Sequence, residues 1–159
     1  MASRSDLIAK AGAVKQDTAM KQEHTILIAD RNPHVRAFLK REMKDKGYQI
    51  LLAGTGHEVL KRVFGKEHIH LLIIDPDLPD VGRSQILKEL QNRIPPLPTI
   101  IHSFSIDNDI LSDTSDHIVF VEKGGESIER LKQISVELLK KVRPEVSKTV
   151  DRERSEQGD

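Results

Sequence analysis

The chain has no cysteine, so disulfides and thiolate metal sites are excluded. It has no tryptophan, and aromatic residues make up only 3% of its 159 residues, so a core must be built from Ile, Leu and Val. It has no excess of either charge: Lys plus Arg and Asp plus Glu number 25 each. A neutral chain offers no electrostatic footprint for nucleic acid and no basic stripe for a membrane surface. No run approaches the roughly 18 apolar residues of a membrane span, and the first residues, MASRSDLIAKAGAVKQ, lack the apolar stretch of a secretory signal. The expectation is a soluble cytoplasmic protein.

What is present is a body between two polar flanks. Residues 1–23 form a polar leader in which Leu7, Ile8, Ala11 and Val14 fall at helical spacing, a pattern too short and weak to hold a helix alone. Residues 143–159 carry almost no apolar content and are expected to be disordered. The body, 24–142, alternates two kinds of segment. Five apolar runs read as strands: Thr25–Ala29, Tyr48–Ala53, Ile69–Ile74, Thr99–His102 and His117–Val121. The first and third are continuously apolar, the pattern of parallel strands covered on both faces.

Helical patterns lie between them. Asn32 is placed to cap a helix that begins at Pro33, with Val35, Phe38, Leu39 and Met43 on one face and Gly47 as a stop. Thr55 and Glu58 have the spacing of a capping box, with Val59, Leu60, Val63 and Phe64 as the buried stripe. Ile86, Leu87 and Leu90 face inward before Pro95 and Pro96 end the next element. Ile128, Leu131, Ile134, Ser135 and Leu138 mark a long last helix. Residues 105–116 are rich in turn formers, so any helix there is short. Strand–helix alternation with short loops implies an α/β fold, a parallel sheet with helices on both faces.

In such a sheet, ligands sit beyond the carboxyl ends of the strands. The first strand ends at Asp30, the third at Asp75 and the fourth at Ser103, and the fifth is followed by Lys123. Two acids, a hydroxyl and an ammonium on one rim suit phosphoryl transfer to a carboxylate. Asp75 would be the nucleophile, and Ser103 and Lys123 would bind phosphoryl oxygens. A divalent cation would normally bring phosphate and carboxylate together. Taken singly, Asp30 reads equally well as a helix cap, Lys123 as a surface lysine and Ser103 as a turn residue. The joint placement is what carries the reading.

The stretch from Ile26 to Ile50 resembles the opening of a response regulator receiver domain, and LLIIDPDLPDVG (71–82) resembles that family's phosphorylation segment. Pro98 to Ser103 is similar to its fourth strand and Phe120 to Lys123 to its fifth. The resemblance covers the body. It implies a flavodoxin-like, doubly wound five-stranded sheet in the order 2-1-3-4-5. It further implies that Asp75 is the phosphoacceptor, Asp30 the first of two paired acids, Ser103 the switch hydroxyl, Phe120 the switch aromatic and Lys123 the family's lysine.

Several positions depart from that pattern. Arg31 stands where a second acid usually binds magnesium, so magnesium is expected to bind weakly, through Asp30, Asp75 and Asp77. The Arg31 guanidinium either pairs with Asp75 where the metal would sit or reaches into solvent. Asp77 either returns the missing carboxylate or is an exposed loop acid. Pro76 removes a backbone donor beside the acceptor, and Gly124 replaces the proline that usually follows the lysine. Among the histidines, His68 and His70 share one strand face but lack a third ligand, and His102 should face away from Ser103.

The resemblance implies a receiver phosphorylated by a histidine kinase or phosphotransfer protein, taking part only in its own phosphorylation and dephosphorylation. Phosphorylation at Asp75 would draw in Ser103, repack Phe120 and change the face around the fourth helix, fifth strand and last helix. The alternative is a degenerate receiver that binds partners without phosphorylation. A flavin or nucleotide enzyme on the same fold is disfavoured, because ADRNPH after the first strand is no phosphate loop. Neither flank has the makings of a DNA-binding domain, so output is expected through a downstream protein target, and a second copy of the chain is a further candidate partner.

Overall fold

The computed structural model describes residues 24–105 and 116–142. The expectations for both flanks, and for most of the short fourth helix, lie outside the described residues. Five strands, β1 (Thr25–Ala29), β2 (Gln49–Ala53), β3 (Leu71–Ile74), β4 (Thr99–Ser103) and β5 (Ile118–Glu122), pair in parallel in the order β2-β1-β3-β4-β5. Among the described residues four helices connect or follow them: α1 (Pro33–Lys44), α2 (Gly56–Val63), α3 (Arg83–Gln91) and α4 (Ser127–Lys140). Strand bounds fall within two residues of the expected ones.

Alternation along the two central strands divides the core into two layers. Leu27, Ala29, Leu72 and Ile74 face α2 and α3, packing on Val59, Val63, Ile86 and Leu90. Ile26, Ile28, Leu71 and Ile73 face α1 and α4, packing on Leu39, Met43, Leu131 and Leu138. Each of the larger side chains among these contributes about 1.5–3 kcal/mol by leaving water. A strand buried on both faces has no polar positions to spare, which is why β1 and β3 read as unbroken apolar runs.

The helix starts follow local chemistry. Asn32 caps α1 by accepting the His34 N–H, and Pro33 fills the first turn where no donor is needed. Gly47 ends the turn after α1 at φ 91°, a conformation that other residues adopt only under strain. At α2 the Thr55 hydroxyl accepts the Glu58 N–H, but the Glu58 carboxylate reaches back to Gly54 N at 3.1 Å rather than to the cap residue. Two expected core aromatics are exposed. Phe38 lies at the edge of the α1 stripe, 42% exposed, with the Arg41 guanidinium over its ring. Phe64 is the residue at which α2 ends, and its backbone leaves helical geometry, turning the ring out to 53% exposure.

A tertiary cap completes α2. Asp80, in the β3–α3 loop, accepts the N–H groups of Gly56 at 2.6 Å and His57 at 3.0 Å and pairs with the His57 imidazole. The imidazole bond and the backbone donors hold the Asp80 carboxyl below the usual range. A Cβ at Gly56 would lie 2.5 Å from Val81 Cγ2 and 2.7 Å from Val81 Cβ. Helix propensity alone favours alanine over glycine by up to about 1 kcal/mol. Overpacking against a buried, χ1-restricted valine costs about 1–3 kcal/mol, so the clash decides the sign. Gly56→Ala should lower the urea midpoint, and combining it with Val81→Ala should cost less than the two changes summed. A higher midpoint in the single variant would show that the loop yields freely.

Candidate phosphoacceptor site

The ladder continues one residue past the strand ends and thereby places the rim. Asp30 N–H donates to Ala53 O at 3.1 Å, Asp75 N–H to Ala29 O at 2.9 Å, and Lys123 N–H to Ser103 O at 2.9 Å. Asp30 and Asp75 therefore stand side by side, and Ser103 and Lys123 close the row from the next two strands. Asp30, Asp75 and Ser103 are buried, at 1%, 6% and 1% exposure.

Lys123 bridges the two acids. Its Nζ donates to Asp30 Oδ2 at 2.7 Å and to Asp75 Oδ2 at 2.5 Å. Burial works against the ammonium, but the hydrogen bonds to Asp30 and then Asp75 outweigh it and raise the Lys123 pKa above its ordinary value. The remaining carboxylate oxygens are occupied as well. Asp30 Oδ1 accepts Asn32 N–H at 2.8 Å, and Asp75 Oδ1 accepts Asp77 N–H at 3.0 Å. The latter bond spans Pro76, so the donor that proline lacks is supplied one residue later. Arg36 reaches across from α1 to the Asp30 carbonyl at 2.7 Å.

Three further residues of the expected site can be placed. Arg31 is exposed and makes no ion pair with these acids, so of its two readings solvent prevails. Asp77 is half exposed, and its carboxylate turns to Arg83 Nη1 at 3.5 Å rather than to Asp75. Phe120 is half-buried on β5, opposite Ile101 in register. His102 faces away from Ser103, as expected: it is buried against α4, with Nε2 3.2 Å from Ser127 Oγ.

One participant was missed. Arg83, only 17% exposed, donates to Ser103 Oγ at 3.3 Å and Ser105 O at 2.7 Å. It was detectable, because a cation in the first turn of a helix opposes the helix dipole and invites another explanation.

The donor set fits a magnesium ion poorly. That ion takes one or two carboxylates and keeps several waters in an octahedral array. Here the space between Asp30 and Asp75 holds an ammonium, Asp77 is drawn off by Arg83, and Arg31 contributes no oxygen. Among the described residues no three His, Asp or Glu side chains gather as a metal cage.

The family model for the response regulator receiver domain matches residues 26–123. The chain belongs to the receiver family. The receiver is 31% identical over 72 residues to the CAI-1 autoinducer sensor kinase/phosphatase CqsS of Vibrio cholerae, a match covering 45% of this chain and 10% of CqsS. It spans under half the length of each of the first curated relatives it matches. Among solved structures it resembles the response regulator TrrA of Thermotoga maritima in complex with Mg2+-BeF, with a TM-score of 0.61 and 26% identity over 72% of this chain and 98% of that one. TrrA in complex with the histidine kinase ThkA matches at 27% identity and the same TM-score, covering 73% and 98%. The strand order is that of these flavodoxin-like receivers. No described helix is long and apolar enough to cross a membrane.

Proposed function

We propose that this receiver accepts a phosphoryl group on Asp75 from a histidine kinase or phosphotransfer protein and acts as a cytoplasmic switch on a downstream protein partner. The observation that carries the reading is the buried lysine bridge: Lys123 holds the Asp75 carboxylate at the end of β3, beside the Ser103 hydroxyl. A nucleophilic carboxylate needs that fixed position and an adjacent cation to take up phosphoryl charge. TrrA, which was captured with its kinase, supports the choice of partner.

In the switch, phosphorylated Asp75 draws the Ser103 hydroxyl from Arg83, and Phe120 repacks on β5. Magnesium contributes little, given the donor set. Arg31 favours a second reading, a receiver that binds partners without phosphorylation.

Labelling separates the two. Incubation with phosphoramidate and magnesium should add one phosphoryl group to the parent by intact mass, and Asp75→Asn should abolish it. An unlabelled parent would establish the second reading.

A further inference from the structure

We propose that Arg83 is a phosphoryl-binding residue, and that with Lys123 it supplies the positive charge which allows Asp75 to be phosphorylated without a divalent metal. This rests on the assignment of Asp75 as the acceptor.

The geometry brings Arg83 to the neighbours of the acceptor. The Arg83 guanidinium touches the two groups that flank Asp75: Nη2 lies 3.3 Å from Ser103 Oγ, and Nη1 lies 3.5 Å from the Asp77 carboxylate. Asp77 in turn donates its backbone N–H to Asp75 Oδ1 at 3.0 Å. On the other side Lys123 Nζ sits on Asp75 Oδ2. The acceptor thus carries an ammonium directly on its carboxylate and a guanidinium on two of its neighbours, both cations largely buried at 10% and 17% exposure. A guanidinium presents paired donors that match phosphoryl oxygens, and its charge persists at any working pH.

Charge counting favours the same conclusion. Asp30, Asp75 and Asp77 bring three negative charges to the rim, and Lys123 and Arg83 bring two positive ones. A phosphoryl group adds further negative charge and three acceptor oxygens. A fourth carboxylate at position 31 would call for an external cation. With Arg31 in its place, the rim is short of one positive charge rather than two.

The step needs a donor with a phosphorus–nitrogen bond, the class to which phosphohistidine and phosphoramidate belong. An Asp75 carboxylate oxygen attacks phosphorus and forms the O–P bond. The P–N bond breaks, its electron pair goes to nitrogen, and the donor, protonated before transfer, leaves as ammonia from phosphoramidate or as neutral imidazole from phosphohistidine. Lys123 and the Arg83 fork hold the transferring oxygens. The Arg83–Ser103 bond opens as the hydroxyl turns to the phosphoryl group, and Arg83 follows it.

The test is phosphoramidate labelling read by intact mass, in excess EDTA and in magnesium. The parent should label in EDTA at a rate within about threefold of that in magnesium. Arg83→Gln should slow labelling in EDTA by about tenfold or more, the size of one charge-assisted contact. Arg83→Lys should fall between them, keeping the charge without the fork. Thermal unfolding of each variant shows whether it is folded; the rate of the parent in EDTA bears on the proposal independently of any variant. Strict magnesium dependence in the parent, with Asp75→Asn silent, overturns the role of Arg83 while the acceptor assignment stands. Faster labelling of Arg83→Gln overturns it too, because Arg83 would then be a lock on Ser103. No labelling under either condition removes both the role of Arg83 and the assignment of Asp75 as acceptor.

Discussion

Lys123→Met should destabilise the receiver by about 3–5 kcal/mol at pH 7, the usual cost of stranding a buried charge. The substitution keeps an unbranched apolar stem, so the change is almost purely the ammonium. It leaves Asp30 and Asp75 facing each other at 2% and 7% side-chain exposure with no cation between them. The pKa of Lys123 is raised in the folded state, so its contribution is fully present below the ordinary lysine value and fades only as pH rises through the higher folded one. Neutral pH is therefore the place to measure it. The cause is testable by a cycle. In an Asp75→Asn background only one carboxylate is stranded, and the same lysine change should cost distinctly less, by at least about 1 kcal/mol. Urea unfolding of the four proteins measures both numbers. A cost below about 1 kcal/mol in both backgrounds would mean that the bridge behaves as a solvated surface pair, and the account of a desolvated pocket around Asp75 would fall with it.

What could be read in advance, and what could not, follows from the range of the forces involved. The runs ILIA and LLII reveal central strands because burial on both faces removes every polar position. Asp30, Asp75, Ser103 and Lys123 could be placed on one rim because parallel strands end at the same edge, so chain position alone supplies the neighbourhood. Asn32 and Thr55 cap their helices through bonds two or three residues long, and such bonds are legible. The misses lie where partners are distant in sequence. Arg83 reaches Ser103 across 20 residues and Asp80 caps α2 across 24, and no periodicity encodes either. The direction of Arg31 was undecidable because a long side chain at a strand end has rotamers toward both the pocket and water. The structure resolves it through Lys123, which already occupies both carboxylates. Phe38 and Phe64 show the limit of counting apolar positions: each sits at a stripe edge or helix end, where one residue of rotation carries a ring into solvent.

His102 should make the fold acid-sensitive well above the carboxylate range. It lies on β4 next to Ser103, 4% exposed. Ser127 O–H donates to Gly124 O at 2.9 Å, so the serine oxygen is left to accept from His102 Nε2–H at 3.2 Å. The neutral ring protonated on Nε2 satisfies that arrangement without a charge. Burial pushes the His102 pKa down from 6.5 to about 4, and the Lys123 ammonium adds to the effect, against opposition from Asp30 and Asp75. Above pH 6.5 neither the folded nor the unfolded chain carries this proton, and below about 4 both do. Between those values the unfolded chain binds a proton that the folded one does not, so acidification favours unfolding. The full interval is worth about 3 kcal/mol, most of it lost by pH 4.5. His102→Gln keeps a donor for Ser127 and cannot titrate. Urea unfolding at pH 7 and pH 4.5 should show the parent losing about 2–3 kcal/mol more than this variant. The Asp80 carboxyl also gives up stability on acidification, but parent and variant share it and it cancels in the comparison. Equal losses in the two proteins would mean that the imidazole takes up its proton in place. A second cation would then stand beside Lys123, and the charge balance of the rim would have to be counted with it.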